Sequence, residues 1–439
     1  MNLINKLFRG LLGPSAVIAA GTMGAGAIAT LILAGAWFRY DLLWVILFML
    51  PLFVVVVDSS SRIGSINQGE GMMTIVRRRI HPSVAWLLLL INVPVHLLVA
   101  MGQFSIMTSA FLSLFGMHPP VVTAPQAEID HYLMVEIITS ILLAFGVLWL
   151  MLFNGYDRMQ KAMTVMLVMM FFCFFIIAMR SFGEAGDILA GFIPSIPEDL
   201  AVPGRDTFRL STGSIIAIVG SAIAPGALLT IPYLSSDASA GPLNLKRDLN
   251  KSILNLGVIF GTYAMFIVIA GGYALFPLPN HAEIETVYQA GQVMNKALPD
   301  SISFIGPSIF TFGLLIAAIT TLVICVQVCV YLTLDMMKKR WTFTTDNKPY
   351  RWMLAGVTLL AGALAPVWSF PAMLKVVLLM GVNVLVIPLV ITVMIFLLNR
   401  KVVMGEHTAS PVRNSLLVLC LIVAVVLAVD KIPDYLAMF

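Results

Sequence analysis

The sequence predicts an all-α integral membrane protein of eleven spans, arranged as two five-helix repeats with one helix appended. Three observations carry this expectation. Hydrophobic residues make up 60% of the 439 residues and charged ones 11%, against about 25% charged in a soluble domain. Apolar runs long enough to cross a bilayer, about 20 residues each, lie near 13–37, 42–60, 83–116, 132–153, 162–181, 212–234, 252–277, 303–335, 352–370, 374–398 and 412–430. The first and sixth runs are interrupted alike, by Gly21-Thr22-Met23-Gly24-Ala25-Gly26-Ala27 in one and Ser221-Ala222-Ile223-Ala224-Pro225-Gly226-Ala227 in the other.

Span 1 begins like a signal peptide, with Lys6 and Arg9 ahead of an apolar stretch and small residues. The apolar run continues about ten residues past any cleavage point, so it reads as a retained helix. Basic residues then fix the orientation. Arg77-Arg78-Arg79, Lys246-Arg247, Lys338-Lys339-Arg340 and Arg400-Lys401 fall in alternate loops, while loop 117–131 has no Lys or Arg and holds Glu128 and Asp130. The positive-inside rule places the N-terminus in the cytoplasm and, with eleven spans, the C-terminus outside a cell inner (plasma) membrane. Residues 1–439 read as one transmembrane domain: repeat 1 about 13–181, repeat 2 about 212–398 and an extra helix about 412–430. The loops 61–82, 182–211 and 278–302 have neither the length nor the apolar content of a soluble domain. The net charge of +4 is carried in loops, so it reports orientation and not nucleic-acid binding.

All four cysteines (Cys173, Cys325, Cys329, Cys420) fall within spans, which leaves no disulfide framework. There is no phosphate loop, no His/Cys metal cluster and no nucleophile–base arrangement. These absences argue against an ATP-driven pump or a membrane enzyme, and no cofactor is expected.

Gly and Pro interruptions at matching positions of two repeats point to a transporter binding site. Where such helices unwind, carbonyls and half-helix ends face a cavity. The expected lining is Thr22, Met23, Gly24 and Ala27 from the first break and Ser221, Ala224, Gly226 and Ala227 from the second. Gln327 of span 8 and Met380 of span 10 complete it, with Asn255 and Asn383 as further candidates. Span 3 carries Asn92, His96 and Gln103 on one face, and span 8 carries Thr320, Ile324, Gln327 and Tyr331 likewise. His96 is the one histidine well inside a span, which makes it the candidate for proton coupling, with interhelical hydrogen bonding as the structural alternative. Glu136 is expected to reach the outer interface, and Asp58 and Asp335 to cap helices or pair with Arg62 or Lys338. Met163, Met166, Met169 and Met170 read as a packing or lipid-facing stripe.

The ordered set of motifs resembles the Nramp family, proton-coupled importers of manganese and iron with a LeuT-type inverted repeat. Gly13-Pro14, Met23 and the break, Ala34-Gly35 and Leu42-Leu43-Trp44 follow its opening segment. Ile218-Val219-Gly220 and Ala224-Pro225 follow its sixth helix. Pro388, Arg400-Lys401, Met404-Gly405-Glu406 and Asn414 follow its tenth helix and the entry to the eleventh. The departures are equally specific. The family's Asp-Pro-Gly-Asn is Gly24-Ala25-Gly26-Ala27 here, and its Met-Pro-His is Ala224-Pro225-Gly226. Span 3 has no carboxylate, span 9 has no Arg beyond Arg351 at its entrance, and no Gln lies between Lys375 and Met380. The resemblance therefore supplies cavity positions but no metal ligands.

A divalent cation needs oxygen ligands, and negative charge to offset its desolvation. With none in the breaks, the leading expectation is a small polar organic solute, neutral or anionic, filling volume that Gly and Ala vacate. The alternatives are divalent metal import as in the family and a membrane sensor that has lost transport; close helix packing is the plain reading of the glycines. Expected partners are the solute or cation, protons and the lipid bilayer. A cysteine placed at Ala127 should label from outside and one at Arg78 should not; the reverse pattern would overturn the orientation.

Overall fold

The computed structural model describes residues 19, 21–120, 125–152, 156–238, 244–342, 346–367 and 371–436, with the backbone alone at 156–167, 236–238 and 434–436. Among them, 10 helices are long and apolar enough to cross a membrane, and Ala25–Phe38 is a shorter apolar one. Ala25–Phe38 is the half of span 1 that follows its break. Spans 2 to 5 are Leu43–Ile66, Pro82–Leu114, Gln126–Leu152 and Tyr156–Arg180. Span 6 is Ser211–Ala222 followed by Pro225–Ala238, and span 7 runs from Leu245 to Ala274. Spans 8 to 11 are Gly306–Met336, Lys348–Leu364, Ala372–Leu398 and Pro411–Leu436. The signal-like segment, Gly13-Pro14 and the side chains of Met163 and Met166 lie outside the described residues.

Span 7 starts earlier than hydropathy places it. Leu245–Ser252 is charged, with Lys246, Arg247, Asp248 and Lys251, and it begins at Asn244, whose side chain accepts from the Arg247 N–H at 2.9 Å. A π-helical stretch, Ile253–Phe260, joins it to the apolar Gly261–Ala274. The two longest loops after span 5 are also more ordered than the sequence indicates. Residues 182–211 include a helix, Ala185–Ala190, and an antiparallel pair, β1 (Leu200–Ala201) with β2 (Phe208–Arg209). Residues 278–302 include Val287–Gly291, closed by a capping box between Thr286 and Gln289.

Packing follows the repeat. Spans 3 and 8 form the most extensive helix pair; span 1 packs on span 7, and the second half of span 6 packs on span 2. Exchanging each span for its counterpart five away (1 with 6, 2 with 7) turns the pair 1 and 7 into 6 and 2, as two related five-helix units require. Small residues let these backbones touch. Gly35 lies against Gly271, Gly272 and the Val268 carbonyl, and Gly64 lies against Pro232.

Charge clamps sit at the helix ends. Asp58 is fully buried between Arg62, at 2.8 Å, and Arg413 of span 11, at 2.6 Å, and Arg413 also donates to the Ser59 hydroxyl at 2.7 Å. The expected Asp58–Arg62 pair forms, and Arg413 extends it to the appended helix. The expected Asp335–Lys338 side-chain pair does not form. Asp335 accepts from the Tyr233 hydroxyl at 2.7 Å and from the Thr74 N–H at 3.1 Å, while Lys338 uses its backbone N–H on the Asp335 carbonyl. Asp58→Ala leaves two guanidinium groups without their buried counter-ion and should cost about 3–5 kcal/mol. Thermal unfolding in detergent checks this through a clear fall in Tm, and no change would mean that span 11 is held by its apolar contacts alone.

Candidate functional site

The two breaks are built bond for bond alike. The Met23 N–H closes on the Ala19 carbonyl at 3.0 Å and the Ile223 N–H on the Val219 carbonyl at 2.9 Å; each helix then stops. It restarts at Gly24, whose carbonyl takes the Ile28 N–H at 3.1 Å, and at Ala224, whose carbonyl takes the Leu228 N–H at 3.2 Å. Thr30 and Thr230 hydroxyls donate to the Gly26 and Gly226 carbonyls at 2.8 and 2.7 Å. Thr22 and Ser221 hydroxyls donate to the Ala19 and Ile218 carbonyls at 3.1 and 2.9 Å. Gly24 and Ala224, Gly26 and Gly226, and Thr30 and Thr230 are each 200 positions apart (224 − 24), so the repeat keeps one register across both breaks.

Each break frees carbonyls that a continuous helix would have paired. Within a membrane, such groups need partners. The Thr321 hydroxyl of span 8 donates to the Gly21 carbonyl at 3.1 Å, and the Asn383 amide of span 10 donates to the Gly220 carbonyl at 3.0 Å. Neither role was legible in the sequence: the span 8 stripe singles out Thr320, whose hydroxyl is spent on its own helix at Ala317.

Between the breaks lies a cavity of ≈ 40 Å³ for water-sized contents, room for a few waters. Of the residues named from the sequence, Thr22, Ala27, Ser221, Ala224, Ala227 and Met380 line it, together with His96. Asn383 joins them, and so do Gly21, Gly26, Val99, Thr321, Ile324, Cys325 and Val328, which the sequence reading leaves out of the lining. Met23, Gly24, Gly226 and Asn255 are not part of the lining. Gln327 is also elsewhere: it hydrogen-bonds the Tyr350 side chain, within the aromatic group of Tyr233, Tyr331, Trp341 and Tyr350.

The vacated volume is not vacant. A Cβ on Gly24 would overlap the Thr321 side chain, and one on Gly226 would overlap the His96 ring. On Gly26 it would meet Met380 Sδ at 2.9 Å and Gln103 Nε2 at 3.1 Å. Gly24 has φ −72° and ψ −179°, ordinary extended backbone, so its lack of a side chain serves close approach and not an unusual torsion. The neighbouring side chains have moved into the space, which removes the argument for an enlarged pocket.

The lining has a consistent polarity. His96 Nδ1 lies 2.9 Å from the Asn92 carbonyl. A carbonyl only accepts, so Nδ1 carries the proton and Nε2 presents a lone pair. Asn383 turns its amide nitrogen to Gly220, and its buried Oδ1 has no partner. Ser221 and Thr321 likewise spend their protons on backbone carbonyls. Met380 adds a thioether. These few polar groups lie in a lining that is otherwise apolar, with Ala27, Val99, Ala224, Ala227, Ile324 and Val328, and no carboxylate is among them.

Polar ties close both ends. At the end assigned to the cytoplasm, Asp335 joins span 8 to Tyr233 of span 6 and to Thr74. At the other end, Arg39 pairs with Glu184 at 2.9 Å and Asp187 at 3.0 Å, and Tyr40 donates to Glu184 at 2.7 Å. Burial, reinforced by the adjoining carboxylate, pushes the Tyr40 phenol up, so it stays the donor. Arg205 and Arg209 both hold Glu285, and Arg209 lies over the Trp37 ring at 4.9 Å.

Two broken helices of related repeats around a small cavity define a membrane transporter of the LeuT-type architecture. A family model described as "Natural resistance-associated macrophage protein-like" matches residues 15–432, and the chain belongs to the Nramp family. No curated protein matches it. Among solved structures, it is similar to the manganese transporter of Eremococcus coleocola in complex with an aromatic bis-isothiourea substituted compound, with 15% identity and TM-score 0.72 over 99% of this chain and 88% of that one. Two point mutants of that transporter give 16% identity and TM-score 0.69 over 96% and 86%. At these identities the likeness shows the fold.

Packing at the first break is testable by a double-mutant cycle. Gly24→Ala should cost about 1–3 kcal/mol from overpacking, and its cost should shrink by at least ~0.5 kcal/mol in a Thr321→Ala background. Strict additivity would place Gly24 out of contact with Thr321.

Proposed function

We propose that this Nramp-family transporter carries a divalent transition-metal ion, bound between the breaks by uncharged donors. The observation that carries this reading is the spent protons of the lining. His96, Ser221, Thr321 and Asn383 all donate to protein carbonyls. What remains are the lone pairs of His96 Nε2, the two hydroxyls and Asn383 Oδ1, beside the second N–H of the Asn383 amide, and these lone pairs attract a cation. The small cavity favours an ion with a few retained waters over a larger solute. Imidazole and thioether donors suit the softer divalent metals, whereas calcium and magnesium prefer oxygen alone. Met380 and His96 therefore replace charge with softness as the basis of selection. Family membership and the likeness to a manganese transporter support the same class of cargo.

A second reading has its own support. Among the described residues, no group of three or more His, Cys, Asp or Glu is placed to hold a metal. The first N–H groups of each restarted helix, at Ala25–Ala27 and Gly226–Ala227, lack intrahelical partners. A small organic solute with both donors and acceptors would use these together with the lone pairs.

Transport then proceeds by alternating access: the Asp335 tie and the Glu184 and Glu285 ties open in turn while the breaks flex. Proteoliposomes holding a metal-sensitive dye decide the cargo. The metal reading expects saturable cadmium or manganese uptake that resists excess calcium. His96→Ala should weaken apparent affinity about tenfold or more, ~1.4 kcal/mol. No uptake of any divalent ion, by protein that a small organic compound stabilises against heat, would instead establish the second reading.

A further inference from the structure

A second cavity lies behind the break of span 6. Ser221 and Ala224 face the cavity between the breaks. Val219 and Ile223, whose hydrogen bond ends the first half of span 6, line a separate crevice of ≈ 250 Å³. Its other walls come from spans 2, 10 and 11, through Met49 and Leu52, Ile387, and Cys420 and Ala424. The last turn of this half-helix is therefore the partition between the two cavities.

The chemistry of the crevice is that of hydrocarbon. Among its lining side chains the one N–H donor is the Trp44 indole, and that proton is spent on the Ser195 carbonyl at 2.9 Å. Water needs two to four polar partners to settle in a cavity, and apolar cavities stay dry. Met49, Ile223, Ile387, Cys420 and Ala424 are buried, while Phe48 of span 2 and Ile422 and Val426 of span 11 are exposed at the mouth. On spanning helices such exposed residues meet lipid tails, so the crevice continues the lipid-facing surface into the bundle. Its depth matches one leaflet. Trp44, at the start of span 2, marks the interfacial end. Ile215 to Ile223 is eight positions (223 − 215), about 12 Å of helix rise, against about 15 Å of hydrocarbon in half a bilayer core.

We propose that this crevice is a binding site for one acyl chain of a bilayer phospholipid, drawn from the leaflet assigned to the outside. The chain enters sideways between spans 2 and 11, with its headgroup at the level of Trp44 and its end against Val219 and Ile223. The gain is packing, because walls without partner atoms forfeit dispersion contacts. Seated there, the chain supports the last turn of the first half of span 6 on the side away from Ser221 and Ala224. A movement of that half-helix changes both cavities together, which makes the acyl chain a regulator of the break. The site is distinct from the cargo cavity and stands whichever cargo is carried.

Photolabelling of the full chain in liposomes tests this without any cargo. The probe is a phosphatidylcholine with a diazirine near the end of one acyl chain, and labelled residues are mapped by mass spectrometry. Ile223 and Cys420, both buried, should be labelled, with the exposed Leu142 of span 4 as the lipid-facing control. Ala424→Trp fills the crevice from span 11 and should abolish the label at Ile223 and Cys420 while leaving it at Leu142. Hydrogen exchange at the Ile223 N–H should be slower in long-chain lipid than in a short-chain phospholipid, and Ala424→Trp should remove that difference. Label at Leu142 alone in the wild type, as when a second copy of the chain or another apolar compound closes the crevice, would overturn the proposal. So would label at Ile223 that survives in Ala424→Trp. Equal exchange in both lipids would overturn the link to the break. If Ala424→Trp does not fold, the wild-type labelling and its lipid-length dependence still decide.

Discussion

The architecture depends on where two sets of helix carbonyls go. Breaking a helix inside a bilayer strips its last turn of partners, and hydrocarbon offers none. Here the Gly21 and Gly220 carbonyls are taken by Thr321 and Asn383 from spans 8 and 10. Those bonds fix both side chains against the breaks. They also determine chemistry: a hydroxyl that has donated to the backbone has only its lone pairs left, and Asn383 keeps its Oδ1 lone pairs and one N–H. The acceptor character of the site is thus a consequence of holding two unwound helices in a membrane.

The small residues follow from the same constraint. Gly24 and Gly226 admit Thr321 and His96 into contact with the backbone. Without glycine at 24, Thr321 could not approach Gly21; without glycine at 226, the His96 ring could not lie against the second half of span 6. Read from sequence, the loss of the family's Asp, Asn, Met and His looks like emptied space. In the fold, side chains of other spans occupy it, and the cavity is small.

Much of the fold was legible because membrane segments must be long, apolar and bounded by charge. The breaks were legible because Gly and Pro are costly inside such helices, and Gly26 and Gly226 recur 200 positions apart (226 − 26). The start of span 7 was not, because Lys246, Arg247, Asp248 and Lys251 mask a helix that hydropathy discounts. Within the site, the break residues were found by local pattern. Thr321 was passed over, and Gln327 placed at the cavity, because helix periodicity gives a face but not its depth relative to another span.

The central claim is that a cation sits among uncharged lone pairs between the breaks. Anomalous diffraction from crystals of the full chain equilibrated with cadmium or manganese addresses it directly. The account predicts one peak in the cavity, at a bonding distance of about 2.0–2.4 Å from His96 Nε2, with Met380 or Asn383 Oδ1 beside it. A cavity without a peak at saturating metal, or an ordered organic molecule bonded to the N–H groups of Gly26 and Ala227 in its place, would contradict it.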